Sequence, residues 1–208
     1  MKKTPDMIIL EGVWTDDISK NSSVREFIEA LTNELGLEIS YRNYNDSKDL
    51  EHWISIFAKT KNTPLCYIAG HGVRNNNNSG RLKSEIGGDI NIKALLAKVF
   101  PTDKKILYGK KGILIGSCLV GNIPNLTAII NSTGNSLNWV AGYGTTIPWF
   151  ESTMCDMLFL KYYFNGRCKF DPEYEFREQS LSSVIDIANY VLEDFPYIKD
   201  YKFNLVSK

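Results

Sequence analysis

Short apolar runs alternate with stretches of helical spacing along most of this chain. Met7 to Val13 is a continuous apolar segment that empties into Thr15, Asp16 and Asp17, the pattern of a buried parallel strand reaching a loop. Asn21, Ser22 and Ser23 offer helix caps, and Val24, Phe27, Ile28, Leu31 and Leu35 follow at helical spacing until Gly36. Leu37 to Tyr41 predicts a second strand. Asp46 or Ser47 then caps a helix carrying Leu50, Trp53, Ile54, Phe57 and Ala58, and Pro64 opens a third strand, Leu65 to Ala69.

Residues 73 to 88 are polar and glycine-punctuated, with four asparagines from Asn75 to Asn78, so a long loop or a floppy hairpin outside the core is expected. Helical spacing returns at Ile92, Leu95, Leu96 and Val99 and ends at Pro101. Ile113 to Ile115 predicts a fourth strand, Leu126 to Ile130 a short helix, and Trp139 to Tyr143 a fifth strand. Phe150 to Phe164 reads as a strongly apolar, largely buried helix, and Ser182 to Phe195 as an amphipathic one. Tyr201 to Val206 suggests a terminal edge strand. Strands alternating with helices define an α/β fold, a mostly parallel central sheet with helices on both faces. No internal repeat or Pro/Gly/Ser-rich linker divides residues 1–208, so one domain is expected.

Composition narrows the function classes. The 208 residues carry 24 basic and 24 acidic side chains, so there is no long-range field to gather polyanions; neither nucleic acid nor an anionic membrane is an expected partner. Lys104, Lys105, Lys110 and Lys111 read as a solvated approach to a strand. The longest uncharged apolar run, Gly112 to Val120, is about half a bilayer's requirement, and the first residues form no secretory leader pattern; a cytoplasmic location is expected. Cys66, Cys118, Cys155 and Cys168 make no closely spaced pair, which indicates neither zinc ligation nor a disulfide framework. Dinucleotide and phosphate-loop glycine patterns are absent, as are GxSxG and HExxH.

Ligands of such sheets bind beyond the carboxyl ends of the strands. Two tips there carry reactive side chains: Gly70-His71-Gly72 after the third strand and Ser117-Cys118 after the fourth, forty-seven residues beyond the histidine. Thiol and imidazole are a minimal pair for acyl transfer, and the backbone N–H groups of Gly72 and Cys118 suit an oxyanion. The bland alternatives are a buried cysteine and a backbone-bonded turn histidine. Cys66 and Cys155 fall inside core elements, Cys168 in a loop or helix end, and His52 beside Trp53 on a helix surface. The Tyr143-Gly-Thr-Thr stretch and Trp149 are candidates for a cleft wall or for core.

An apolar strand ending in His-Gly and another ending in a small residue, Cys and then Gly121 resemble the caspase-like cysteine peptidases (clan CD). Glycine three residues after Cys118 looks most like the bacterial CHAT-domain and separase branch, and the QAC-x-G signature of caspases is absent. The likeness spans roughly Met7 to Phe164. It implies an α/β/α sandwich in which Cys118 is the nucleophile and His71 the general acid/base, with no metal or cofactor and a protein or peptide substrate. It further implies an activating or regulatory protein partner and a role in defence or regulated death. The group uses acidic or basic preferences before the cut; Asp16, Asp17 and Glu151 stand where carboxylates could accept Arg or Lys, and each also reads as a cap or loop charge. The rival expectations are a noncatalytic scaffold of the same fold and a non-proteolytic acyl or thioester enzyme.

Overall fold

The computed structural model describes residues 4–12, 14, 22–74, 80–100, 111–134, 136–165, 167–171, 175–179 and 183–208, the strands at 167–171 and 175–179 by their backbone alone. A six-stranded sheet is built from β1 (Met7–Glu11), β2 (Ile39–Asn43), β3 (Leu65–Ala69), β6 (Gly112–Gly116), β7 (Trp139–Tyr143) and β10 (Phe203–Ser207). Across the sheet the order is β10, β7, β6, β3, β1, β2. All pairings are parallel except that of β10 with β7. The α/β expectation is met, with the terminal strand as an antiparallel edge.

Alternation along each strand splits the apolar side chains between two cores. Ile8, Leu10, Ile68, Ile113 and Ile115 face one layer with α2 (Ser47–Lys59), α3 (Ile92–Val99) and α4 (Ile123–Ser132). Met7, Ile9, Leu65, Tyr67 and Leu114 face the other with α1 (Arg25–Glu34), α5 (Trp149–Asn165) and α6 (Val184–Asp194). The four central parallel strands β1, β3, β6 and β7 are buried at every position, which is why they read as continuous apolar runs.

Local chemistry sets the ends. Asp46 caps α2, its Oδ1 accepting the N–H groups of Lys48 and Asp49, both at 2.8 Å. The start of α1 is held differently: Glu11, from the end of β1, accepts the Val24 N–H at 2.8 Å. Gly36 closes α1 with φ 65°.

Three expectations change. The polar stretch after Gly72 forms a hairpin, β4 (Gly72–Arg74) and β5 (Gly80–Leu82), and it is tied to the core because Leu82 is fully buried and bridges Ile90. Lys111 is not a solvated charge. It is buried, donates from Nζ to the carbonyls of Thr60 and Thr63 at 2.8 and 2.9 Å, and lies over the Phe57 ring; Lys104, Lys105 and Lys110 fall outside the described residues. Finally, α5 is largely buried as expected but leaves Phe150 and Met154 exposed, and a hairpin that the sequence did not predict, β8 (Arg167–Asp171) with β9 (Glu175–Gln179), follows it.

Candidate active site

Ala69 and Gly116 are register partners on the neighbouring parallel strands β3 and β6. His71 and Cys118 therefore each stand two residues past a paired position, at the same edge of the sheet. Both line one cavity of about 240 Å³.

The backbone at the histidine tip needs glycine. Gly70 has φ 152°, and a Cβ there would lie 2.9 Å from the Tyr44 hydroxyl. The His71 carbonyl then accepts the Lys83 N–H at 2.8 Å, fastening the tip to the far side of the hairpin. Gly72 lies directly on the cysteine: a Cβ built on it would collide with the Cys118 carbonyl and stand 2.8 Å from the Cys118 nitrogen. The two amides suggested for an oxyanion thus belong to adjoining backbones.

The cysteine loop is strained and laced. Leu119 has φ 67°, and the Val120 N–H donates to the Cys118 carbonyl at 2.8 Å, a tight turn that a branched residue adopts only under constraint. The constraints are visible. Leu119 N–H donates to Thr145 O at 3.2 Å and Gly121 N–H to Tyr143 O at 2.8 Å. Side-chain amides take the loop carbonyls: Asn122 that of Leu119, Asn125 that of Val120, and Asn204 of β10 that of Gly121 at 2.9 Å.

Ile147 brackets the Cys118 thiol. Its N–H donates to Sγ at 3.3 Å, and its carbonyl accepts the S–H at 3.4 Å. Burial pushes this thiol's pKa up, and the Ile147 hydrogen bond pulls it partly back. The resting group is a neutral thiol, so its activation requires a base.

Two indoles form walls of the cavity. Trp14 and Trp149 meet edge to face at 6.3 Å, and Phe27 backs Trp149 at 5.7 Å. Trp14 is fixed by Glu11, whose carboxylate is almost wholly buried and also accepts from Ser23, the Val24 amide and the Tyr41 hydroxyl. Ser22, Thr146, Ile147 and Ser152 contribute the remaining wall side chains. Beneath the floor lies Asp156, fully buried on α5. It accepts from Tyr67 Oη at 2.8 Å and from Tyr143 Oη at 2.7 Å, and a Cβ on Gly116 would strike it.

Asp16 and Asp17 lie outside the described residues. Glu151 is half-buried in the first turn of α5, between Trp149 and Ser152, and is not among the described residues lining the cavity. Cys66 and Cys155 are core thiols raised by burial, and His52 is an exposed ring against Trp53. Cys168 sits in β8. Among the described residues no three His, Cys, Asp or Glu side chains gather as metal ligands, and no helix is long and apolar enough to cross a membrane. Sequence reasoning missed Glu11, Trp14 and Asp156; the available signals were an acid inside an apolar strand and another inside an apolar helix.

The sequence matches no protein-family profile and no curated protein. Among solved structures the fold is similar to that of caspase-1 from Spodoptera frugiperda, with 15% identity over 97% of this chain and 85% of that one, at a TM-score of 0.55. The chain has a caspase-like fold.

Proposed function

We propose that this chain is a cysteine endopeptidase in which Cys118 attacks the scissile carbonyl and His71 carries the proton. The observation that supports this most is that the chain's exposed-edge thiol and an imidazole line one cavity from equivalent positions on adjacent parallel strands. In the proposed reaction the Cys118 S–H proton passes to His71 as sulfur bonds to the carbonyl carbon. The oxyanion lies against the N–H groups of Gly72 and Cys118. The C–N bond then breaks as the imidazolium protonates the departing amine, leaving a thioester. Water adds to the thioester, gives its proton to His71, and the C–S bond breaks to release the acid and restore the thiol.

The spacing Cys118-Leu-Val-Gly121 supports the CHAT-domain and separase branch, and that likeness alone supports a regulated role in defence or cell death. Control by a protein partner accords with the bracketing of the thiol by Ile147, since displacing residues 144–148 would free Sγ. The same bracket favours a second reading, a noncatalytic module that retains the cysteine. A cut after Arg or Lys, the expectation from Asp16, Asp17 and Glu151, finds no described carboxylate in the cavity wall.

Cleavage of a mixed peptide library, with products identified by mass spectrometry, separates the readings. Cuts by the wild type are expected to vanish in Cys118→Ala and to slow by about 10²–10⁴-fold in His71→Ala. Products that persist in Cys118→Ala would sink the peptidase reading. A wild-type thiol that reacts with a peptidyl electrophile no faster than Cys66 or Cys155 would favour the noncatalytic module.

A further inference from the structure

A cavity of about 240 Å³ falls below the usual range for small-molecule sites, about 300–1,000 Å³. It is the size for one large side chain beside the thiol. Two adjoining indoles, Trp14 and Trp149, make one side of the cavity apolar and rigid, since Glu11 locks the first and Phe27 packs on the second. None of the described lining residues is Asp, Glu, Lys or Arg.

Charge decides what such a pocket accepts. An indole face attracts a cation by about 0.5–2 kcal/mol, whereas an ion withdrawn from water without a counter-charge costs several kcal/mol. Two buried carboxylates stand near the cavity and both are occupied: Glu11 accepts from four donors, and Asp156, beneath Gly116, accepts from Tyr67 and Tyr143. An anion would need a basic partner, and no described lining residue is Lys or Arg. A second feature suits a neutral oxygen: the hydroxyl-bearing residues Ser22, Thr146 and Ser152 line the same cavity as the indoles.

We propose that the cavity lined by Trp14 and Trp149 binds one bulky uncharged side chain of a peptide, preferring tyrosine-like groups that join an apolar body to a neutral oxygen. This preference rests on the peptidase reading for its meaning as the residue beside the cut. It does not depend on that reading for its test.

The test is binding to the wild-type protein, followed through the indole N–H resonances of its four tryptophans, which are assigned by single Trp→Phe substitutions at residues 14, 53, 139 and 149. N-acetyl-tyrosine amide is expected to move the Trp14 and Trp149 signals and to leave those of Trp53 and Trp139 in place. N-acetyl-arginine amide and N-acetyl-aspartate amide are expected to bind at least about tenfold more weakly, a difference of roughly 1.4 kcal/mol. Arginine amide binding as tightly as tyrosine amide, or no movement of Trp14 and Trp149 with any probe, overturns the proposal. Library cleavage and thiol reactivity then separate the two claims. Cuts after Arg or Lys refute the pocket and keep the peptidase, whereas tyrosine binding by a protein whose Cys118 reacts with a peptidyl electrophile no faster than Cys66 or Cys155 keeps the pocket and refutes the peptidase.

Discussion

Asp156 is a carboxylic acid placed where water cannot reach it. Burial raises its pKa to about 7, against an ordinary value of 3.8, and the hydroxyls of Tyr143 and Tyr67 that donate to it pull the value partly back. The ionisable groups facing it are those two tyrosines and the neighbouring Cys155, all of them neutral around pH 7. Below about pH 4 the acid is protonated in the folded and unfolded chain alike. Between about pH 4 and 7 the folded state holds the proton that the unfolded state has lost, so stability falls as pH rises, by a few kcal/mol in order of magnitude. Urea unfolding midpoints should therefore decline from pH 4 to pH 7 and level off above, and Asp156→Asn should flatten that slope; a wild-type midpoint that rises through the window would contradict this account. Gly116 rests on Asp156, and Ser152 both lines the cavity and takes a hydrogen bond from Tyr143 through its carbonyl. Titration of the acid is thus felt at the cavity floor. Neither Asp156 nor Glu11 was legible beforehand, because each is a single acid within an apolar run and the run dominates the reading. His71 and Cys118 stood out because glycines flank the one and closely neighbour the other at strand ends.

Glycine works at the level of elements here by letting backbones touch. Gly72 on the Cys118 carbonyl, Gly80 on the Leu119 carbonyl and Gly121 on Gly142 press the β4–β5 hairpin and the end of β7 against the cysteine loop. Gly72→Ala should force that hairpin off the loop, costing about 1–3 kcal/mol in urea unfolding, the usual penalty of overpacking. It should also change the rate at which Cys118 reacts with a thiol reagent; an unchanged rate together with an unchanged midpoint would mean that the contact is not tight in solution. The hairpin's attachment was hidden in the sequence. Leu82 and Ile90 are isolated apolar residues in a polar stretch, and only their bridge brings them together in the core. The β8–β9 hairpin did leave a signal that the sequence reading passed over: residues 167–171 and 173–177 each alternate charged with apolar or aromatic side chains at a period of two, on either side of Pro172. By contrast, β3 and β7 were legible to their last residue, since a strand buried on both faces must be apolar throughout.

At the scale of the whole molecule, the chain starts its sheet at β1, adds β2 on one side and then returns to lay β3, β6, β7 and β10 on the other. This reversal leaves the ends of β1, β3 and β6 side by side, where Trp14, His71 and Cys118 line the same cavity. The alternation of strands and helices made that architecture readable, while the identity of the walls depended on packing between distant segments. Asn204 makes one of the long links, joining β10 to the Gly121 carbonyl across 83 residues of chain. Asn204→Ala should leave the unfolding midpoint nearly unchanged, within about 1 kcal/mol, the net worth of one hydrogen bond. Hydrogen exchange at the Gly121 amide should nevertheless quicken by up to about tenfold as the loop opens locally. Equal protection in both proteins would show that the remaining ties hold the loop without Asn204.

The Asn204 link also has a bearing on the order in which a newborn chain acquires its parts. Synthesis delivers His71, then Cys118, and only much later the strand whose amide fastens the turn between them and α4. A nascent chain that has delivered both reactive residues and the ties from Asn122, Asn125, Tyr143 and Thr145 still lacks one fastening of the turn that presents the sulfur, and β10 brings that one last.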